Sequence, residues 1–282
     1  MLALLAVALV GRQPIPPPMP HRDIGPGWEV AAKTTTIQDA EVSFQLYLPE
    51  GRLSGELAIH FHGAAWFAID EHVARGVDGP LIVFNNGEGS SVYRAPFEDR
   101  ERLPRWIRLV EQAVQARGEK GYRVASVSIT SFSAGYGAVR EIVRDPGLWK
   151  RVRLIVLLDS MYASHAADGS KTPEPAQIDV WAPFVHSAMA GERSFVFTCS
   201  RVPTATYSNS TDCARALAKV VGIPMTRVEP GTLAATLDDR FPLLERADSG
   251  NAHFWGYGGE DAQAHMTHAR HLADVWMAVV RP

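Results

Sequence analysis

The chain has 282 residues, 46% of them hydrophobic and 21% charged, with a formal net charge of −3. That balance excludes a disordered or fibrous protein, and it offers no basic surface for nucleic acid. The length suits one large domain or two small ones.

Residues 2–10, "LALLAVALV", are an apolar run too short to cross a bilayer but matched to a signal-peptide core. The usual positive flank is missing. "GRQPIPPPMP" follows as a Pro-rich, extended linker. Residues 1–25 are therefore expected to be an export signal and linker, and 26–282 the folded domain. On this basis the protein is exported to the periplasm or beyond, and the mature chain has no membrane span. The two cysteines, Cys199 and Cys213, fit either one disulfide or two buried thiols, and they are too few for a structural zinc site.

In "EVSFQLYLP" (41–49), Val42, Phe44, Leu46 and Leu48 alternate with polar residues, the period of a half-buried strand. "ELAIHFHG" (56–63) is a second strand, and "PLIVFNN" (80–86) a third, apolar throughout as a strand covered on both faces should be. "LPRWIRLVEQAVQARG" (103–118) predicts a helix, with Pro104 in its first turn and Gly118 as its stop. Trp106, Ile107, Val110, Ala113 and Val114 form its apolar stripe.

"RVASVSI" (123–129) reads as a strand, and a helix after Gly135 ends before Pro146. "RLIVLLDS" (153–160) is another buried strand, and 161–190 read as irregular. "SFVFTCS" (194–200) is a strand and a helix follows near 211–221. "NAHFWGYGG" (251–259) is the last strand, and a final helix starts near His265. Strands alternating with helices imply an α/β protein with a mostly parallel sheet and helices on both faces. Ligands bind such sheets beyond the carboxyl ends of the strands.

Four stretches at predicted strand ends carry residues suited to chemistry. "SFSAG" (131–135) stands between strand and helix, where small residues around a serine suit a nucleophile held on a sharp turn. Ser133 is equally acceptable as a plain helix N-cap. "HFHGAAW" (60–66) ends a strand where backbone amides can face a developing oxyanion; Ala64 is the candidate donor, with Ala65 the alternative, and Ala134 the second. His60 and His62 lack an acidic residue at metal-ligand spacing.

A serine nucleophile needs a base. Of the C-terminal histidines, His253 lies inside a strand and His268 and His271 inside a helix. His265 follows the loop "GGEDAQA" and is preferred. The base needs a carboxylate. Asp159 ends the apolar run "LIVLLDS", where burying a charge is costly unless it is paired. Asp212 is the alternative, although a first-turn helix residue is favourably negative in any case. Tyr93, after the "NNGEGSS" loop, is a candidate substrate contact, and Trp66, Tyr136 and Tyr162 are candidate substrate contacts or core residues. The Gly-x-Gly of that loop has no helix directly behind it and lacks the third glycine of a dinucleotide site.

"HFHGAAW", "SFSAGYGA", "LLDSMYAS" and "DAQAHMTH", in this order, resemble the serine esterases and lipases of the α/β-hydrolase superfamily over about residues 40–280. The resemblance implies a Ser133–His265–Asp159 triad, a backbone oxyanion hole and no cofactor. Its partner is then a small-molecule or polymer ester, with the oligomeric state left open. A peptidase or amidase would use the same residues. Two departures stand out. Ser131 replaces the first glycine of the elbow, which also fits a catalytically silent binding protein, and the acid comes one strand earlier than usual.

Overall fold

The computed structural model describes residues 34–229, 236–238 and 241–280. The expected signal and linker lie outside the described residues.

Burial alternates along β2 (Val42–Tyr47): Val42, Phe44 and Leu46 face inward, Ser43 and Gln45 outward. It pairs antiparallel with β1 (Thr34–Asp39), a polar edge strand that the sequence pattern did not reveal. β1 is held by Asp39, whose buried carboxylate accepts from Arg102 at 2.7 Å, Arg105 at 2.6 Å and the Trp106 indole at 2.9 Å.

β3 (Glu56–Phe61), β4 (Leu81–Phe84), β5 (Ser126–Phe132), β6 (Val152–Leu158), β8 (Ser194–Cys199) and β13 (Ala252–Tyr257) form the parallel centre. The strand order is β1-β2-β4-β3-β5-β6-β8-β13, continued by the antiparallel β12 (Phe241–Ser249) and β10 (Thr226–Arg227). β6 shows why these strands read as continuously apolar. Its Ile155 and Leu157 join the core on one face, and its Leu154, Val156 and Leu158 join the core on the other. Helices cover both faces. α2 (Ser90–Phe97), α3 (Arg102–Ala116), α4 (Tyr136–Val143), α6 (Ala182–Met189) and α7 (Ser210–Val220) close the first. α1 (Ala65–Ala74), α8 (Ala262–Arg270) and α9 (Leu272–Val279) close the second.

Several expectations need correction. The strand expected at 123–129 begins at Ser126 and runs on to Phe132, because it pairs with β3 through Ser131. Residues 161–190 are not irregular: they hold β7 (Ala163–Ser164), α5 (Pro175–Asp179) and α6. Two of the three prolines there open helices, since Pro175 and Pro183 occupy first-turn positions where no N–H is needed. A helix, α2, does follow the 85–89 loop directly, with Pro96 inside it. The final helix starts at Ala262, capped by the Asp261 side chain, and breaks at His271. Cys199 and Cys213 are both free, buried thiols, and burial pushes both thiol pKa values up.

Candidate active site

The carboxyl ends of β3, β5, β6 and β8 stand level, since Phe61 pairs with Ser131, Ser131 with Leu157, and Leu158 with Thr198. The next residues are His62, Ser133, Asp159 and Ser200. Three of them have positive φ: His62 at 68°, Ser133 at 47° and Asp159 at 45°. Ala40 is the one other non-glycine with this conformation among the described residues. Left-handed backbone costs an L-residue about 1–2 kcal/mol, so three such residues on neighbouring strand ends make this a strained edge.

This conformation is not that of a helix N-cap. A helix N-cap has extended backbone and an accepting side chain. Ser133 instead sits at φ 47° and opens a single 3₁₀ turn, Ser133–Gly135, that leads into α4. Its side chain is half-buried on a sharp strand-to-helix turn. Gly135 makes that turn possible: a Cβ there would lie 2.4 Å from the carbonyl oxygen of Phe61 on β3. Gly135→Ala is therefore expected to cost about 1–3 kcal/mol of stability, read as a lowered denaturant midpoint.

Asp159 is fully buried and its carboxylate is saturated with donors. Oδ1 accepts the Ser200 amide at 2.8 Å and the Ser210 hydroxyl. Oδ2 accepts the Ser200 hydroxyl at 2.6 Å and His265 Nδ1 at 2.6 Å. Burial alone would raise its pKa. The His265 hydrogen bond, the charges of His268 and His265, and the Ser200 hydrogen bond outweigh burial and hold the carboxyl well below the usual range. Because the carboxylate only accepts, His265 donates from Nδ1 and keeps its Nε2 lone pair when neutral. The imidazole stacks on Phe132, the residue before Ser133, with centroids 4.5 Å apart. His265 and Asp159 are thus brought together at the end of the strand that leads to Ser133. Asp212 is elsewhere: it stands in the first turn of α7, capped by Asn209, and lines a separate polar cavity with Arg201 and Arg215.

The remaining C-terminal histidines are engaged in packing. His253 Nδ1 meets Asp248 at 2.7 Å, His271 Nδ1 meets Asp274 at 2.7 Å, and His268 Nδ1 meets Thr198 at 2.8 Å.

Ala64 is exposed and extended (φ −66°, ψ 139°) and precedes α1 with no side chain capping it. The first N–H groups of a helix have no partner within it and carry its positive end. This places uncapped amides one strand from Ser133, with Ala134 beside it in the 3₁₀ turn. His62 Nδ1 lies 2.7 Å from the Tyr93 hydroxyl, and its ring stacks on Phe132 with centroids 6.0 Å apart. Burial, then the charge of His265, lowers the His62 pKa.

The expected substrate contact at Tyr93 is corrected. Tyr93 is fully buried, and its hydroxyl is taken up by His62, the Asn86 amide at 3.1 Å, Asn85 at 3.0 Å and the Gly87 carbonyl at 2.9 Å. It holds His62 and the 85–87 loop in place and has no surface left for substrate. Tyr162 is half-buried; its hydroxyl donates to the Asp159 carbonyl at 3.1 Å, and its ring packs between Tyr136 and Tyr207. Tyr136 is buried, with its hydroxyl on Ser90 at 3.1 Å. Trp66 is 36% exposed in the first turn of α1. Sequence reasoning did not single out Phe132, Ser160, Ser200, Ser210 or the exposed Tyr207, and it weighed His62 only as a metal ligand. For Ser160 and Ser200 a signal existed, since each stands within two residues of the carboxyl end of an apolar strand.

The order β1-β2-β4-β3-β5-β6-β8-β13, a serine elbow after β5, and an acid and a histidine after it in the chain decide the architecture. This is the α/β-hydrolase fold. No protein-family model matches the sequence, and no curated protein matches it. Solved structures of α/β-hydrolases similar to it include a poly(3-hydroxybutyrate) depolymerase from Bordetella parapertussis, at 10% identity over 91% of this chain and 94% of that one, TM-score 0.49. A poly(aspartic acid) hydrolase from a Sphingomonas species matches at 12% identity over 86% and 97%, TM-score 0.46. A thermostable esterase from Pseudomonas putida matches at 13% identity over 67% and 69%, TM-score 0.38. The chain's own strand order carries the α/β-hydrolase assignment, independently of these likenesses. Within that fold, the strand end after the acid's own strand holds Ser200, and Ser200 donates twice to Asp159.

Proposed function

We propose that the protein is a serine hydrolase that cleaves a carboxylic ester through an acyl-enzyme. The observation that carries this is the buried Asp159 carboxylate, which fixes His265 through Nδ1 against Phe132, the residue before a serine in left-handed conformation. Ser133 Oγ attacks the ester carbonyl while His265 Nε2 takes its proton. The carbonyl oxygen gains negative charge, stabilised by the amides of Ala64 and Ala134. Collapse expels the alcohol, to which His265 returns the proton. Water then attacks the acyl-serine by the same route, and Ser133 is regenerated. No step calls for a cofactor. The leaving group is set by the shape of the site, so an amide is the competing substrate, and a small molecule or a polymer can supply the ester. The apolar 2–10 segment supports export as the setting.

A fluorophosphonate probe tests this directly. The folded wild type is expected to take one label, on Ser133, and Ser133→Ala none. A folded wild type that stays unlabelled would falsify the proposal and leave a ligand-binding protein on a hydrolase scaffold. For a labelled protein, acyl esters of graded chain length with matched amides then separate esterase from amidase.

A further inference from the structure

Ser131 stands where the elbow pattern has glycine, and its side chain is fully buried. Its Oγ lies 2.6 Å from Ser160 Oγ, also fully buried, and Ser160 Oγ lies 2.8 Å from the carbonyl oxygen of Ser133. A carbonyl cannot donate, so the single Ser160 proton goes to Ser133. Ser160 can then only accept from Ser131. The direction of the chain follows: Ser131 O–H to Ser160 O–H to the Ser133 carbonyl.

The Ser133 carbonyl belongs to the same planar, trans peptide as the Ala134 N–H, and the two point in opposite directions. Pinning the carbonyl therefore aims the amide. Donation to the carbonyl also polarises the peptide and makes its N–H a better donor, an effect that hydrogen-bond chains reinforce. Ser160 directly follows Asp159, whose φ of 45° lets neighbouring residues serve two directions: the carboxylate reaches His265, and the next hydroxyl reaches the elbow.

We infer that Ser131 and Ser160 form a hydrogen-bond chain that orients and polarises the Ala134 amide toward the substrate oxyanion, so that both are positioning residues for the hydrolytic step. This rests on the serine-hydrolase reading above. The serine at 131 then has a use on this scaffold and is not the mark of a lost activity.

The test uses hydrolysis of a p-nitrophenyl acyl ester together with inhibition by a trifluoromethyl ketone, whose serine adduct carries the oxyanion. Loss of a whole oxyanion donor costs about 10²–10³ in kcat, so a misaimed one in Ser160→Ala is expected to cost about 10–100-fold, with KM within about twofold. Ser131→Ala, which leaves the last link intact, is expected to cost about threefold. The Ser131→Ala/Ser160→Ala double variant should be no slower than Ser160→Ala, because the chain passes through Ser160. Inhibitor affinity should fall by the same factors as kcat. If Ser160→Ala does not fold, Ser131→Ala and Ser160→Thr carry the test, with Thr keeping wild-type inhibitor affinity. Wild-type kcat in the hydroxyl-deleted variants, additive losses, or inhibitor affinity that does not follow kcat overturns the chain and leaves the hydrolase reading standing. A wild type that neither turns over the ester nor takes a fluorophosphonate label overturns both.

Discussion

Asp159→Asn is expected to leave the protein folded and to lower kcat by about 10⁴. The hydrogen bonds around the side chain dictate this. The Ser200 amide can only donate, so the asparagine oxygen must take the Oδ1 position that accepts it now. The asparagine NH₂ then faces His265 Nδ1, where the carboxylate accepts at 2.6 Å in the wild type. To accept that N–H, His265 must move its own proton to Nε2, the atom that has to receive the proton of Ser133. The ring stays in place on Phe132, in the wrong tautomer. Asp212→Asn touches only the start of α7 and is expected to keep the wild-type rate. Both variants are read by steady-state hydrolysis of the same ester. If Asp212→Asn loses the rate and Asp159→Asn keeps it, the acid has been assigned to the wrong residue.

The second large effect is on stability against pH. Burial, then the charge of Arg75, lowers the pKa of His60 and of His72 to about 3. Burial lowers that of His268 to about 4, partly offset by Asp159. The His72 geometry shows the physical basis: Nε2 meets the Gly79 carbonyl at 2.9 Å, and Nδ1 accepts from Arg75 at 3.0 Å. A second proton on that ring would confront the guanidinium. In the unfolded chain these rings bind protons below about pH 6.5, whereas the folded protein resists until about 3–4. The unfolded state therefore takes up protons as pH falls through this window, and the folded state loses stability. Each ring contributes about 1.4 kcal/mol per pH unit and the three together about 4 kcal/mol per unit. A domain with about 5–15 kcal/mol in hand is exhausted within about one to four such units below pH 6.5, so unfolding is expected between about pH 5 and 3. Asp159 acts with the same sign at lower pH, since its depressed carboxylate stabilises above the ordinary carboxyl pKa and that contribution is lost on acidification. Urea titrations at pH 7, 6 and 5 measure the slope. His72→Gln keeps a donor for Gly79 and should remove about one third of it. A stability that stays level from pH 7 to 5 would contradict buried neutral histidines.

Elements buried on one face or on both were legible in the sequence, because side-chain period and burial are the same information. β2 announced itself by alternation, and β4 and β6 by unbroken apolar runs. α1 did not, because Ala64 offers no capping side chain and the helix follows the strand end almost at once. β1 and β12 are held by pairing more than by apolar pattern, so period-2 reasoning passed over them. The site divides in the same way. Ser133 and His265 could be placed by motif and chain order, and Asp159 by the cost of leaving a charge at the end of an apolar strand. Tyr93 was misassigned because a loop tyrosine beside a strand end looks the same in sequence whether it faces outward or folds inward to hold His62.

Residue patterning alone marks the strongly apolar strands and helices, their order along the chain, and therefore which residues stand at those strand ends. Those are local properties, written in periods of 2 and 3.6. Which carboxylate meets His265, 106 residues away from Asp159, emerged from the folded arrangement, as did the bending of Ser133 into left-handed backbone instead of a helix cap. It alone showed that the hydroxyl of Ser131 has a partner in Ser160, 29 residues further on. Pairings of this kind depend on strand order and register, which are set when the two faces of the sheet are buried together, and no local pattern encodes them.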